Sequence, residues 1–297
     1  MKCIVCLNKK EFKPLSPDFC KASNYLCLVC GLVFIPKNRD SATRYYKKDG
    51  YFIKSPNLAY RKQLISKSLL IKEAAERIKS ALSIFPVELK SKSVLDIGCG
   101  YGEILYCLKN KYGCQVMGVE ASGQAGEYGE KLFSIPIYKS TLEEFESKGK
   151  FDIIWCSHVL EHTVNPSTFL KKINSLLKSN GCLYLEVPNI LRPTGGFSLN
   201  KFLYNEHLQT FSVYNLYLLL KKNGFAAVGY FDSDFLKFWC RKSYKSIVVP
   251  QLISQDNVMS FLKGYNSKYN VLCSARVYMQ KILYGARLVI YKARDIF

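Results

Sequence analysis

The stretch Ser93–Leu108, "SVLDIGCGYGEILYCL", decides the fold. It opens with a short apolar strand from Val94 to Ile97, passes through Gly98-Cys99-Gly100-Tyr101-Gly102, and continues into helix-forming "EILYCLK". Strand, glycine loop and helix together begin a βαβ unit, because glycines permit the tight turn and let a ligand lie against bare backbone. The spacing is G-x-G-x-G, not the G-x-G-x-x-G of dinucleotide sites. A second strand, "CQVMGVE", ends on Glu120, 22 positions after Gly98. A carboxylate at that strand end can accept both hydroxyls of a ribose. Strand-like "SVLDI", "QVMGVE", "FDIIWC", "CLYLEV" and "AAVGYF" alternate with helical stretches, and they lack polar alternation, as strands covered on both faces do. The expectation is an α/β, doubly wound sheet with a ligand at the C-terminal edge of its strands.

On these residues the chain, over 91–232, resembles the class I S-adenosylmethionine-dependent methyltransferases, whose sheet is Rossmann-like. "LDIGCGYG" is similar to their first motif. The resemblance implies that Asp96 and the loop of Gly98, Cys99, Gly100 and Gly102 hold the methionine end of the cofactor, and that Glu120, with Ala121 beside it, holds the ribose. "FDIIWCSHVLEHTVNP" is similar to the fourth strand and its turn, which brings Cys156 and His158 to the cofactor. The family often carries an acid near the adenine after strand three; here the chain reads "IYKSTLEE", so backbone near Thr141 or Leu142 takes that place. The branch resembled most is the one that carries a zinc ribbon and serves deoxysugar and surface-glycan pathways. In it a Tyr and His spaced like Tyr204 and His207 lie beside the acceptor. A base there is chemically sensible, since an acceptor must lose a proton as it attacks the sulfonium methyl. The alternative for His207 is a plain loop hydrogen bond, because much methyl-transfer catalysis comes from in-line positioning.

"HVLEH", residues 158–162, has the H-x-x-E-H spelling of an inverted zincin, with two histidines four apart. A zincin needs both rings well inside one helix and a further ligand downstream. Here "TVNP" follows within a turn, and the residue before a proline is biased away from helix. The peptidase reading is therefore set aside. His158 is expected just beyond strand four, facing the methyl donor and in contact with cofactor or acceptor, as a catalytic candidate beside Tyr204 and His207, and His162 is expected to order the turn.

Near the start, Cys3-x2-Cys6 and Cys27-x2-Cys30 have the spacing of a structural zinc ribbon, in which four thiolates close a tetrahedron. Gly31 after the second pair can take positive φ, whereas Leu7 holds the same place after the first. Cys20 is a spare. A four-thiolate site leaves no position for water, so its expected role is to fold the segment.

Twelve cysteines behind an N-terminus without an export pattern fit thiols and metal ligands in a reducing cytoplasm. Charge is uneven: 19 basic against 7 acidic residues in 1–92, 9 against 11 in 93–190, and 15 against 5 in 191–297. The flanks are thus expected to meet an anionic partner, such as a phosphorylated sugar, with nucleic acid the less favoured choice. An RNA methyltransferase is the rival, but "SHVLEH" lacks the Asn-Pro-Pro-aromatic kind of signature by which base-amine methylators grip a planar nitrogen. The expected organisation is a ribbon over 1–40, a helical cap over 41–90 with a helix from about 61 to 84, a methyltransferase domain over 91–250, and a basic amphipathic tail over 251–297. In that tail, residues 276–294 put Tyr278, Ile282, Leu283 and Val289 on one helical arc and Arg276, Lys281, Arg287 and Lys292 on the other. Such a helix docks on protein or lies in the plane of the inner membrane surface.

Overall fold

The computed structural model describes residues 1–15, 23–36, 66–193, 199–204, 206–243 and 258–265. Cys20, the whole of the 41–65 segment and the expected helix at 276–294 lie outside the described residues. Three short strands come first: β1 (Phe12–Pro14), β2 (Tyr25–Cys27) and β3 (Val33–Phe34). Helix α1 (Lys67–Ile84) follows, its N-terminus capped by the Ser66 side chain, which accepts from the Leu69 N–H. Leu70, Ala74, Ile78 and Ala81 form its buried stripe, and it stops just before Pro86, as a proline requires.

The main domain then runs β4 (Ser93–Ile97), α2 (Glu103–Tyr112), β5 (Gln115–Glu120), α3 (Gly123–Phe133), β6 (Ile137–Lys139), β7 (Phe151–Ser157), α4 (Pro166–Leu176) and β8 (Leu177–Pro188). After it come the short α5 (Leu199–Phe202), β9 (Gln209–Thr210), α6 (Val213–Lys222), β10 (Phe225–Asp232) and β11 (Phe235–Lys242). Seven strands make one sheet in the order β10-β11-β8-β7-β4-β5-β6, and the five from β8 to β6 are mutually parallel. The order steps outward from β4 in both directions, so the strand ends around β4 and β7 open a crevice. Two strands of this sheet are missing from those that hydrophobic periodicity picks out. β6 is only three residues long, with two of them exposed, and β11 is inserted antiparallel between β8 and β10, so no helix marks its connection.

Both faces of the sheet are covered. On one, Trp155, Tyr184 and Trp239 stack under α1 and α2, with the Trp239 indole N–H donating to the Ala81 carbonyl at 2.7 Å. On the other, Leu95, Ile97, Ile154, Leu183 and Phe238 pack against α4 and α6. No helix among the described residues is long and apolar enough to cross a membrane.

The N-terminal strands do not stand apart as a closed module. They form a second sheet, β1-β2-β3-β9, completed by β9 from the far side of the main domain, with Val33 paired to Thr210 and Phe34 to Gln209. The Ile35 N–H adds a bond to the Leu208 carbonyl, the Asn215 side chain donates to the Cys30 carbonyl, and Lys222 reaches the carbonyls of Ile4 and Val5. The helix at 258–265 adds Val258 and Leu262 to a small core shared with Leu26, Val33, Leu199 and Phe202.

Candidate active site

The glycine loop is held to the end of β5 from two directions. The Gly98 and Cys99 N–H groups donate to the Val119 carbonyl, and the Glu120 carboxylate accepts from the Gly100 N–H and the Ser122 N–H, both at 2.9 Å. Gly98 has φ +69°, and a methyl at its Cα would sit 2.3 Å from Val159 of the "HVLEH" turn, so only glycine lets that turn approach. Gly100 has φ +57° and nothing within 4 Å of the same position. Bare backbone therefore faces open space beside Glu120, which is what a closely approaching ligand needs. Burial pushes the Asp96 carboxyl, one strand away, well above the usual carboxylate range, a state that an incoming ammonium would reverse.

Other expected contacts are distributed unevenly. Ala121 is half-buried next to Glu120, and Thr141 heads the turn after β6, where Lys139 pairs with Glu120. Gly102 caps α2 with left-handed φ. The Cys156 side chain is fully buried in the core, and Cys99 packs against Gly118, so what these two positions can offer a ligand is their backbone. Small thiols fill the space that close strand-to-loop packing leaves, so neither side chain lines the crevice.

The histidine side is assembled from distant elements. His158 leaves β7 with φ +58°, and its Nε2 lies 3.1 Å from Glu186 Oε1 on β8 while its Nδ1 lies 3.5 Å from Glu161 Oε1. Burial works against charge on His158, but the two carboxylates outweigh it and push its pKa up to about 9. Burial likewise opposes charge on Glu186, and His158 and Arg77 pull it down to about 2. Arg77 of α1 donates to Ser157 Oγ at 2.7 Å, and Tyr184 donates to Glu186 at 2.6 Å. The ring is thus an imidazolium at neutral pH, clamped by an ion network.

His162 does order its turn. The segment Leu160–His162 is a single 3-10 turn, not a zincin helix, and His162 Nδ1 meets the Glu206 carbonyl at 2.8 Å, tying the turn to the loop after α5. On that loop Tyr204 Oη and His207 Nε2 are 2.7 Å apart. His207 is 7% exposed, and burial, with His162 beside it, lowers its pKa to about 3. The sequence reading found Tyr204, His158 and His207 but missed Arg77, Glu161 and Glu186 as partners, since nothing in "AERIK" or "YLEVP" marks a residue that meets a histidine across the sheet.

Away from the crevice, the sulfurs of Cys3, Cys6, Cys27 and Cys30 lie within 4.8 Å of one another, with Cys3 to Cys30 at 3.6 Å and Cys6 to Cys27 at 3.5 Å. Sulfurs about 2.3 Å from one tetrahedral ion stand about 3.8 Å apart, so the set fits a four-thiolate centre. Leu7 and Gly31 take matching positive φ values of 64° and 71°, and each donates its N–H to the carbonyl of the first cysteine of its pair. Leu7 tolerates the strain with its side chain largely exposed.

A family model described as a methyltransferase domain matches residues 68–229. The chain belongs to this methyltransferase family. Among its relatives, (S)-coclaurine N-methyltransferase of Papaver somniferum is 33% identical over 102 residues, covering 32% of this chain and 29% of that protein. Ubiquinone biosynthesis O-methyltransferase of Bradyrhizobium diazoefficiens is 30% identical over 154 residues, covering 44% of this chain and 60% of that one. This methyltransferase therefore spans less than two thirds of the length of these relatives. Its fold is that of the plantazolicin methyltransferase solved with S-adenosylhomocysteine, at TM-score 0.51 and 15% identity over 69% of this chain and 96% of that one. The same holds for the Burkholderia thailandensis 1,6-didemethyltoxoflavin N1-methyltransferase, at TM-score 0.50 and 18% identity over 78% and 99%.

Proposed function

We propose that this methyltransferase transfers a methyl group from S-adenosylmethionine to a sugar-related acceptor, a nucleotide sugar or a lipid-linked or surface glycan. The observation that carries the reading is the open backbone at Gly100, flanked by Asp96 and Glu120, on the same strand edge as the Tyr204–His207 pair. The residues fit the cofactor: Glu120 offers carboxylate oxygens to a ribose, Asp96 offers a partner to an ammonium, and the Thr141–Leu142 backbone lies one strand over, on the adenine side. When bound, the cofactor supplies an electrophilic methyl on a sulfonium.

The chain's own groups do the rest. His158 stands just beyond the end of β7, its charge balanced by Glu161 and Glu186, where it can donate to an acceptor oxygen. Of the two expected contacts of His158, cofactor or acceptor, the acceptor is the one proposed. Tyr204 is half-buried and can reach an acceptor, whereas His207 is buried and acts on it through Tyr204 Oη. The pair assists removal of the acceptor proton, and Arg77, Glu186 and Glu161 keep His158 oriented. Zinc on the four thiolates fixes the ribbon whose sheet includes β9, next to His207. The basic flanks supply the attraction for a phosphorylated acceptor.

The test is incubation with methyl-labelled cofactor and separated nucleotide-sugar, lipid-linked and RNA fractions of the host. Label in a sugar-bearing fraction is the expected result. Label appearing only in RNA would sink the acceptor assignment and favour the nucleic-acid reading.

A further inference from the structure

The "HVLEH" turn and the loop facing it carry buried polar atoms that make no hydrogen bond. Glu161 is 1% exposed, and neither of its carboxylate oxygens makes a hydrogen bond of good geometry, its ion-pair neighbours His158 Nδ1 and His162 Nε2 standing 3.5 Å and 3.9 Å from Oε1. His207 Nδ1 is buried and unpartnered as well. Groups of this kind are costly to bury unless something joins them. One oxygen of Glu161 and one ring nitrogen each of His162 and His207 lie within 4.8 Å of one another.

The hydrogen bonds around the cluster decide which atoms face inward. A carbonyl only accepts, so at 2.8 Å from the Glu206 carbonyl His162 Nδ1 carries a hydrogen, leaving Nε2 to point at Glu161 Oε1 3.9 Å away. His207 spends Nε2 on Tyr204 Oη, which leaves Nδ1. Two imidazole nitrogens and a carboxylate thus converge, each ring anchored through its other nitrogen. That outer bond, to a backbone carbonyl or a side-chain oxygen, is what fixes metal-ligating histidines in the required tautomer. His158 touches the same carboxylate but has its own partner in Glu186.

We propose that Glu161, His162 and His207 form a second metal site, for a zinc-class divalent cation, separate from the four-thiolate centre. Two nitrogens and one carboxylate match such an ion, and three protein ligands leave a fourth position open. Ligand atoms about 2.0–2.2 Å from an ion stand about 3.3–3.6 Å apart, so small side-chain rotations close the set. The ion would lock the turn after β7 to the loop that carries Tyr204, and with the ion on Nδ1 the His207 Nε2–H would donate to Tyr204 Oη, so that in the metal-loaded form His207 orients Tyr204 and takes no proton from it. The inference goes beyond the methyl-transfer reading, and its test needs neither cofactor nor acceptor.

The full-length protein is equilibrated with zinc, cleared of loose metal and assayed for metal content; a parallel sample is loaded with cobalt. Two ions per chain are expected. Glu161→Gln and His162→Gln should each fall to one ion, keeping the thiolate-to-cobalt charge-transfer band and losing the weak bands of a nitrogen–oxygen centre. One ion per chain in the unmodified protein overturns the proposal, as does a count of two that both substitutions leave unchanged. Should a substituted protein lose the thiolate band too, the unmodified cobalt form decides: nitrogen–oxygen bands support the site, and a pure thiolate spectrum overturns it.

Discussion

The two halves of the crevice are built in opposite ways. The glycine-loop half draws Asp96, Gly100, Glu120 and Thr141 from one run of β4 to β6, and its bonds are backbone N–H groups donating to one carboxylate. The histidine half draws Arg77, His158, Glu161, Glu186, Tyr204 and His207 from α1, β7 and its turn, β8 and the loop before β9, and its bonds join side chains. The first half rests on its own local backbone. The second also depends on the ribbon, since β9 is the ribbon sheet's fourth strand.

That difference can be broken at four points. The largest effect is expected from Cys27→Ser, or from a strong chelator, because structural zinc contributes on the order of 10 kcal/mol to small ribbons. Methyl transfer should be abolished while S-adenosylhomocysteine binding, followed by calorimetry, stays; equal loss of both would mean that the halves are one unit. Next, Tyr204→Phe removes only an oxygen and should lower kcat by about 10²–10⁴, the usual worth of a positioned proton-transfer group, with little change in cofactor affinity. Glu120→Gln should do the reverse. It weakens charge-assisted bonds worth about 1.5–3 kcal/mol each, so cofactor affinity drops on the order of tenfold to a hundredfold.

The smallest effect is in stability against pH. His158 is raised from an ordinary 6.5 to about 9, so its contribution is complete below 6.5 and fades as pH rises through 9. Glu186 is lowered from 4.5 to about 2, so its contribution is complete above 4.5 and is lost as pH falls toward 2. The Tm gap between the unmodified protein and His158→Gln should therefore be widest between 4.5 and 6.5 and narrow toward pH 9. A gap that does not move with pH would remove the ion network from the histidine half.

Legibility in the sequence follows the same division. Gly98, Gly100 and Glu120 could be read because one loop and one strand end fix them at a set spacing, and the paired cysteines could be read because each knuckle closes within four residues. "HVLEH" misled in a specific way. Its i, i+4 histidines suggest one helical face, yet the chain turns at His158 with positive φ, so the two rings point to different neighbours. Its glutamate, not its first histidine, meets the second ring and His207.

By itself, then, the sequence determined the doubly wound sheet, the glycine-loop cradle and the four-thiolate set, because each depends on hydrophobic period, turn chemistry or ligand spacing within a short span. Only the tertiary structure decided that β9 belongs to the ribbon's sheet, that Cys156 is core, that Glu161 and Glu186 hold His158 charged, and that Glu161 faces His162 and His207. Those facts depend on which strand ends lie side by side and on how deeply a side chain is buried, and neither is encoded in the local order of residues.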